Sequence, residues 1–572
     1  MLTHLHKLLS PQDTKSSIQI KFWLGLSLVL TAVYGILALQ QAFSSEYVVQ
    51  DDARQHVFWL RRFLISELFP NDLIADYFQS VAPLGYTILY RSFAVVGIDP
   101  LWLSKILPLI LGLMTASYSF GVCLQILPLP ITGFIGAILL NQNLWMQDGL
   151  ISATPKAFIY PLFLAFLYYF SRRSFIPCLV AIALLGLFYP SLIFVCILIL
   201  LFQFFHWRRW QLQLAFNRQE YISIAGIGVA ILVLLPYALS SSEFAPTTAA
   251  STAKTLPEFL SGGRSSFFIN DPWEFWFNES RSGIRLTSAL MPPLVYAGLL
   301  LPIMLRYPSL FPLVTKIRST IILLPQMILA SLVMFFVAHA LIFKLHLPSR
   351  YTQHSLRIIL TIAAAIALTL LIDTLLRRSR GFEQRLFDYI KRAFALIIAL
   401  ILIFYPATLN QFLWTGYVVG NNPSLYQFFQ QQPPDIIIAS LADEANNLPT
   451  FAQRSILVGS EYAIPYHWGY YRQFRQRTLD LVQAQYSQDL TALQQFIQKY
   501  NIDFWLLEKN AFTPEYVTSD GWIRQFQPLT ANIAQQLQQQ APALSKVTIQ
   551  CTVFEVNNFI VLQTQCIQTQ SE

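Results

Sequence analysis

Apolar runs, several of them about 20 residues long, recur through the first two thirds of this chain. Each is long enough to cross the roughly 30 Å hydrocarbon core of a bilayer. Within that core every backbone N–H and C=O must find a partner, so runs of this kind fold as helices. Composition agrees: of 572 residues 55% are hydrophobic and 12% charged, about half the charged share of a soluble domain. The chain therefore reads as a polytopic α-helical membrane protein. Its net charge of +8 could point to nucleic acid, but in a membrane chain the location of basic residues matters more than their sum. No nucleic-acid partner is expected; the bilayer is.

Eleven spans are expected, at about 21–43, 101–124, 131–146, 157–171, 175–188, 191–205, 221–239, 289–305, 319–343, 355–376 and 393–413. With a cytoplasmic N-terminus, alternate loops carry Arg172 and Arg173; Arg208, Arg209 and Arg218; Arg306, Lys316 and Arg318; and Arg377, Arg378, Arg380, Arg385, Lys391 and Arg392. The short loops between them are poor in basic residues, which fits the positive-inside bias at each turn. The reading is a multi-pass plasma (inner) membrane protein, with residues 1–413 as a transmembrane domain and 414–572 outside. The first apolar run is read as a retained anchor, because the polar, basic start is not followed by a signal-peptidase site.

Residues 44–100 make an unusually long first external loop. Its stretch "ARQHVFWLRRFLISELF" sets Val57, Leu60, Leu64 and Leu68 on one helical face, as in a helix lying in the membrane interface, and 83–97 is read as a second such helix. After residue 414 the chain turns rich in Gln, Asn, Asp and Pro. Short apolar runs at 435–441, 455–460 and 502–507 alternate with helical patterns such as 490–500, which predicts an α/β domain with partly parallel strands. "NIAQQLQQQ" at 532–540 reads as a polar helix. "CTVFEVNNFIVLQTQC" reads as a closing hairpin turning at Asn557–Asn558, and it would bring Cys551 and Cys566 close enough to allow a disulfide. Cys123, Cys178 and Cys196 fall in apolar runs as small buried hydrophobes.

Three places could carry chemistry. In "QDDARQH" the spacing Asp52-x-x-Gln55 matches a capping box, which accounts for Asp52 and leaves Asp51 unexplained. His56 follows Asp52 by one helical turn, so a carboxylate here could serve as a general base or share a metal or a donor hydroxyl. In the second external loop, "MQDGLISATPKAF", Asp148 and Lys156 either mark solvated span ends or face the same cavity as Asp51. The third place is "KLHLPSRYTQHSLRI". There Lys344, His346, Arg350, His354 and Arg357 cluster on the outer side against the prevailing bias, and Arg supplies the planar fork of donors that phosphate oxygens accept. The 239–288 loop, with "FFINDPWEFWFNES", suits a lid over a lipid or sugar, while exposed aromatics are also ordinary at interfaces. Its "NES" matches a glycosylation triplet that is common by chance. The chain contains no P-loop, zinc-type Cys/His spacing or G-x-S-x-G element.

The long first loop opening with "QDDARQH", the following "GIDPLWLSKILPLILGLMTASYSFGVCLQIL", the acidic "MQDGLISATPKAF" and the late external "LPSRY" together resemble the GT-C superfamily of membrane glycosyltransferases. The resemblance covers roughly 20–413, and it implies transfer of a sugar from a polyprenyl-phosphate-linked donor to a glycan, lipid or protein acceptor on the non-cytoplasmic face. It implies a first-loop acid as base, mapping to Asp51 or Asp52, with Asp148 as the second-loop acid and Arg350 facing the lipid phosphate. Lys156, His56, Tyr351 and His354 are the further expected contacts to phosphate or acceptor. A WWDYG-type motif is lacking after residue 414, which argues against asparagine-linked transfer. No cofactor is required on this reading, although a divalent cation bridging carboxylates and phosphate is compatible with it. A transporter or flippase, and a non-catalytic glycan-binding relative, are the alternatives. A transporter would place charges mid-membrane in symmetric halves, and here they gather at one face.

Overall fold

The structure is a computed structural model that describes residues 17–208, 211–214, 220–239, 242–377, 385–519 and 521–570. The polar N-terminal stretch and the basic residues Arg209, Arg218, Arg378 and Arg380 lie outside the described residues.

The membrane half is built from α1 (Ser17–Ala42), the loop helices α2 (Asp51–His56), α3 (Leu73–Val81) and α4 (Leu84–Val95), then α5 (Pro100–Ile126) and α6 (Pro130–Trp145). It continues through α7 (Ile159–Ser171), α8 (Phe175–Phe188), α9 (Pro190–Phe202), α10 (Tyr221–Leu239), α11 (Leu323–Ala340), α12 (Ser349–Leu376) and α13 (Arg385–Phe404). Among the described residues six helical segments are long and apolar enough to cross a membrane, at Ser17–Ala42, Pro100–Ile126, Tyr221–Leu239, Ser319–Ala340, Ser349–Leu376 and Asp388–Thr408. The other expected spans are shorter. The one at 289–305 is a 3-10 turn, Pro293–Leu300, running into a single α-turn, because Pro292, Pro293 and Pro302 interrupt α-helical pairing there. Ile18, Leu232 and Leu396 stand exposed on α1, α10 and α13, as lipid-facing side chains do. By contrast, α12 is buried along most of its length. Its small residues let a neighbour approach so closely that a Cβ on Gly298 would meet the Ala364 nitrogen at 2.8 Å.

The long loop at 44–100 departs from the expected interfacial helix. After α2 the chain tightens into a 3-10 turn over Phe58–Phe63, which turns Val57, Phe58, Trp59 and Leu60 inward. Arg61 then ion-pairs with Asp99 at 2.8 Å, and Asp99 also caps α5 by accepting the Leu101 N–H at 2.7 Å. A second Arg61 nitrogen donates to the Thr450 carbonyl at 2.5 Å, so this segment is gripped by the C-terminal region. Helix α4 matches the second short helix expected at 83–97.

Strand β1 (Val48–Gln50) pairs antiparallel with β2 (Tyr417–Val419), drawing the start of the C-terminal region back onto the first loop. Apart from a short hairpin of Phe205–Arg208 with Gln211–Leu214 in the membrane half, the other strands described are β3 (Ile437–Ser440), β4 (Ser455–Ile456), β5 (Phe504–Glu508), β6 (Thr552–Val556) and β7 (Phe559–Gln563). Strands β3 to β7 form one sheet in the order β4-β3-β5-β7-β6, with β3 parallel to β4 and β5, and β7 antiparallel to β5 and β6. The last hairpin turns at Asn557–Asn558, with Asn557 at φ 51°. Cys551 and Cys566 are disulfide-bonded with a Cα–Cα distance of 5.5 Å. They sit just outside the strands, at the end of helix Ala543–Cys551 and within Thr564–Gln568.

Candidate active site

The sequence expectation for the two aspartates is reversed by the fold. The N-cap of α2 is Gln50, whose side chain accepts the Ala53 N–H at 3.3 Å; Asp52 is not the cap. The β1–β2 ladder sets this register, because it ends at Gln50 and the Asp51 N–H is taken by the Gly416 carbonyl at 3.0 Å. Gly416 has φ +61°, a conformation that suits glycine, and a Cβ there would press to 3.3 Å from the Gln50 amide. Asp51 ion-pairs with Arg54 in its own helix, on the side away from the cavity described next. Asp52 is the aspartate that faces it.

That cavity measures about 660 Å³ and is bounded by the first loop (Asp52), the second (Gln147, Asp148, Lys156), the 280–291 segment (Ser280, Arg285), one face of α12, and Leu409, Gln411 and Trp414. On α12 the lining residues are Arg350, Gln353, His354 and Arg357, spaced by three, four and seven from the first, so the helical repeat alone brings them to one face. Lys344, His346, His56 and Tyr351 do not line the cavity. The Tyr351 hydroxyl donates to the Leu345 carbonyl at 2.8 Å and ties down the turn before α12. His56 sits behind Asp52, edge-on to Phe78 with ring centroids 5.4 Å apart.

Two carboxylates meet one ammonium here. Lys156 Nζ donates to Asp52 Oδ2 and lies 3.3 Å from Asp148 Oδ2. Burial alone would raise the Asp52 carboxyl, but the Lys156 ammonium overcomes it, with help from His56, and Asp52 falls to about 2. Burial acts the other way on Lys156, and Asp52 and Asp148 reverse it, so its pKa is raised. Burial, with Lys156 adding to it against the pull of Asp52, lowers His56 to about 4, leaving it neutral at pH 7.

The same cavity is also lined by a wall of guanidiniums. Arg357 donates to the Tyr160 hydroxyl at 2.8 Å and to Gln147 Oε1, and the Tyr160 hydroxyl lies 2.8 Å from His354 Nδ1. Since Tyr160 accepts from Arg357, its own proton goes to His354 Nδ1. His354 then carries its N–H on Nε2, which is buried without a protein partner. Arg285 donates to the Asn278 carbonyl at 2.9 Å and Arg350 to Gln353 at 3.2 Å. Among the described residues none of these three arginines has an ion-pair partner. Burial first, then the nearby Arg357 and Arg350, lower the pKa of Arg285, a sign of concentrated positive charge. Such a wall is built to receive an anion.

Sequence reasoning singles out Asp52, Asp148, Lys156, Arg350, His354 and Arg357, which the fold brings together. It misses Gln147, Arg285 and the 409–414 rim, which carry no local motif; Arg285 lies inside a loop that reads as a lid. The aromatics of that loop are partly packed away, with Phe259 and Phe267 in a small core against Phe343. A further missed feature joins the C-terminal region to α2. Glu461 pairs with Arg264 at 3.0 Å and with Arg54 at 3.4 Å, and it accepts from the Gln55 amide.

A divalent cation would need several carboxylate or other oxygen donors converging on one point. Among the described residues no group of three His, Cys, Asp or Glu side chains is placed to hold one. Between Asp52 and Asp148 the space is taken by the Lys156 ammonium. The donor set does not fit a metal.

No protein-family model and no curated protein sequence matches the chain. Solved structures do. The Archaeoglobus fulgidus oligosaccharyltransferase tethered to an acceptor peptide containing the NVT sequon superposes with a TM-score of 0.53 at 12% identity, covering 89% of this chain and 72% of that one. Its apo form gives 0.53 at 13% with the same coverage. The archaeal oligosaccharyltransferase AglB from the same organism, in complex with an inhibitory peptide and a dolichol-phosphate, gives 0.50 at 13%, again over 89% and 72%. These similarities span the helical membrane half and the sheet-containing C-terminal region together. The chain has the GT-C fold.

Proposed function

We propose that this protein is a membrane glycosyltransferase that moves a sugar from a polyprenyl-phosphate-linked donor to an acceptor on the non-cytoplasmic face. The observation that carries the reading is one cavity lined both by acids from the first two long loops and by three guanidiniums that pair with no acid among the described residues. Support for the donor class comes from the fold, since the solved archaeal relative binds a dolichol-phosphate. The basic-residue bias supports a cytoplasmic N-terminus and an extracytoplasmic cavity and C-terminal domain.

In this reading Arg350, Arg357 and Arg285 bind the donor phosphate, and the His354 Nε2–H adds a neutral donor. Asp52 orients the acceptor and takes its proton. A carboxylate near pKa 2 suffices, because the acceptor hydroxyl becomes strongly acidic only as its bond to the sugar forms. The bond from the sugar anomeric carbon to the phosphate oxygen breaks as the bond to the acceptor oxygen forms. Both electrons of the broken bond leave with the polyprenyl phosphate, whose growing charge the arginines stabilise. The acceptor proton passes from Asp52 to solvent or product.

The test is transfer of labelled sugar in proteoliposomes from a panel of polyprenyl-phosphate monosaccharides, with Arg350→Ala and Arg357→Gln alongside wild type. Loss of one charge-assisted phosphate contact, about 1.5–3 kcal/mol, corresponds to a roughly 10- to 150-fold drop in kcat/KM for each variant. Normal transfer by both folded variants would sink the phosphate assignment. Donor crossing the bilayer without sugar transfer would favour a flippase.

A further inference from the structure

We propose that the Lys156 ammonium does the work of a divalent cation in this site. It holds the Asp52 and Asp148 carboxylates together and neutralises them, so the reaction proceeds without a bound metal. The inference rests on the proposed function for its chemical meaning, but its central test reads metal binding and needs no activity.

Two carboxylates from different loops that face one cavity repel each other, and something positive must hold them. In this protein the something is covalently supplied. Lys156 Nζ lies within reach of both acids, bonded to Asp52 and 3.3 Å from Asp148. Its backbone is rigidly placed. Asp148 opens the short helix Asp148–Ile151, Ala153 turns the chain at φ 50°, and Pro155 starts the 3-10 turn that carries Lys156. The Tyr90 hydroxyl donates to the Ala153 carbonyl at 3.0 Å and locks that corner, while Ser152 and Thr154 hydroxyls bond each other at 2.9 Å. The ammonium is thus aimed by the backbone of the same loop that supplies Asp148.

The remainder of the site is equally unsuited to a cation. An incoming divalent ion would displace a buried ammonium and meet the positive charge of Arg350, Arg357 and Arg285 in the same cavity. It would find two carboxylates, where sites for hard cations gather six or more oxygens, some from water. One positive charge between two carboxylates leaves a net −1, and the three guanidiniums exceed it, leaving the site positive for an incoming anion.

Removal of the amine opens the site. Lys156→Ala leaves Asp52 and Asp148 facing each other across an emptied position, a pair of hard oxygen donors with room for an ion and its waters. The experiment is a Mn²⁺ titration followed by electron paramagnetic resonance on the purified full chain in nanodiscs. The proteins are wild type, Lys156→Ala, Lys156→Gln and the Lys156→Ala/Asp148→Asn double variant, each with a melting profile. Wild type is expected to bind no specific Mn²⁺ at concentrations up to about 1 mM. Lys156→Ala should bind one Mn²⁺ at least about tenfold more tightly than wild type, and the double variant should lose it. Should Lys156→Ala fail to fold, Lys156→Gln carries the same arm with less lost volume. Specific binding of Mn²⁺ by wild type as tight as that by Lys156→Ala would overturn the proposal. So would a folded Lys156 variant that binds Mn²⁺ no better than wild type. Once sugar transfer is measured, dialysis against EDTA should leave the wild-type rate within about twofold, and collapse of that rate with recovery on Mn²⁺ would also overturn it. Absence of transfer from every donor would instead count against the functional reading and leave the binding result standing.

Discussion

Asp51→Asn and Asp52→Asn separate two residues that the sequence leaves equivalent. The Asp51 side chain is 49% exposed and pairs with Arg54, which keeps Glu461 and Asn447 as partners when Asp51 is neutralised. A pair of that kind is worth about 0–1 kcal/mol, so Asp51→Asn should cost at most about fivefold in rate and little in stability. Asp52 sits in the cavity, where removing a general base costs about 10²- to 10⁴-fold, or roughly 3–5 kcal/mol of transition-state stabilisation. Unfolding would not account for such a loss, because Lys156 retains Asp148 at 3.3 Å and Asn fills the same volume. The assay is initial-rate transfer of radiolabelled sugar by the full chain in proteoliposomes, with intrinsic tryptophan fluorescence melts of each variant. Transfer by Asp52→Asn within tenfold of wild type, or a deeper loss in Asp51→Asn at unchanged melting temperature, would refute the assignment of Asp52.

Other consequences are open to measurement. Glu461→Ala strands Arg264 and weakens the hold on Arg54 and Gln55, at a cost of about 2–3 kcal/mol. It should lower both the melting temperature and kcat, with Glu461→Gln recovering part of kcat; unchanged kcat in the alanine variant would disconnect the C-terminal domain from the site. Replacing Cys551 and Cys566 by Ser opens a loop of sequence separation 15 and should destabilise the terminal hairpin by about 3 kcal/mol, read as faster limited proteolysis there in the full chain. Equal cleavage rates would contradict it. His56 is lowered to about 4 by its surroundings, whereas an unfolded His titrates near 6.5. Between these values the unfolded chain takes up a proton that the folded chain refuses, so stability falls as pH drops from about 6.5 to about 4. His56→Gln should remove up to about 1.4 kcal/mol per pH unit from that slope, measured by melts at stepped pH, and an unaltered slope would exclude His56.

Much of the site is legible in local pattern. Arg350, His354 and Arg357 share a face because a helix repeats every 3.6 residues, and the letters "SRYTQHSLR" carry that spacing themselves. Asp148 and Lys156 stand out as charges at the ends of apolar runs. The partly parallel sheet and the Asn557–Asn558 turn follow from alternation and turn chemistry. The expected helix at 53–69 fails because hydrophobic periodicity there is satisfied by burial under the C-terminal region, where a 3-10 turn serves better than a helix on a lipid surface. Arg285 has no local signal, since its place depends on a loop that folds back over α12.

By itself, then, the sequence determined the class of molecule: apolar runs long enough to need helices, basic residues grouped in alternate loops, and acids and arginines near the ends of apolar runs. Only the tertiary structure decided which aspartate faces the cavity. Capping rules favour Asp52 as a structural residue and free Asp51, because they see four residues at a time. The start of α2 is instead set by pairing Val48–Gln50 with Tyr417–Val419, a contact between the first long loop and the start of the C-terminal region. That ladder makes Gln50 the cap, turns Asp51 to Arg54 and delivers Asp52 to Lys156. In "QDDARQH" the chemistry of each residue is local, but the direction in which it points is fixed by strands more than three hundred residues apart in the chain.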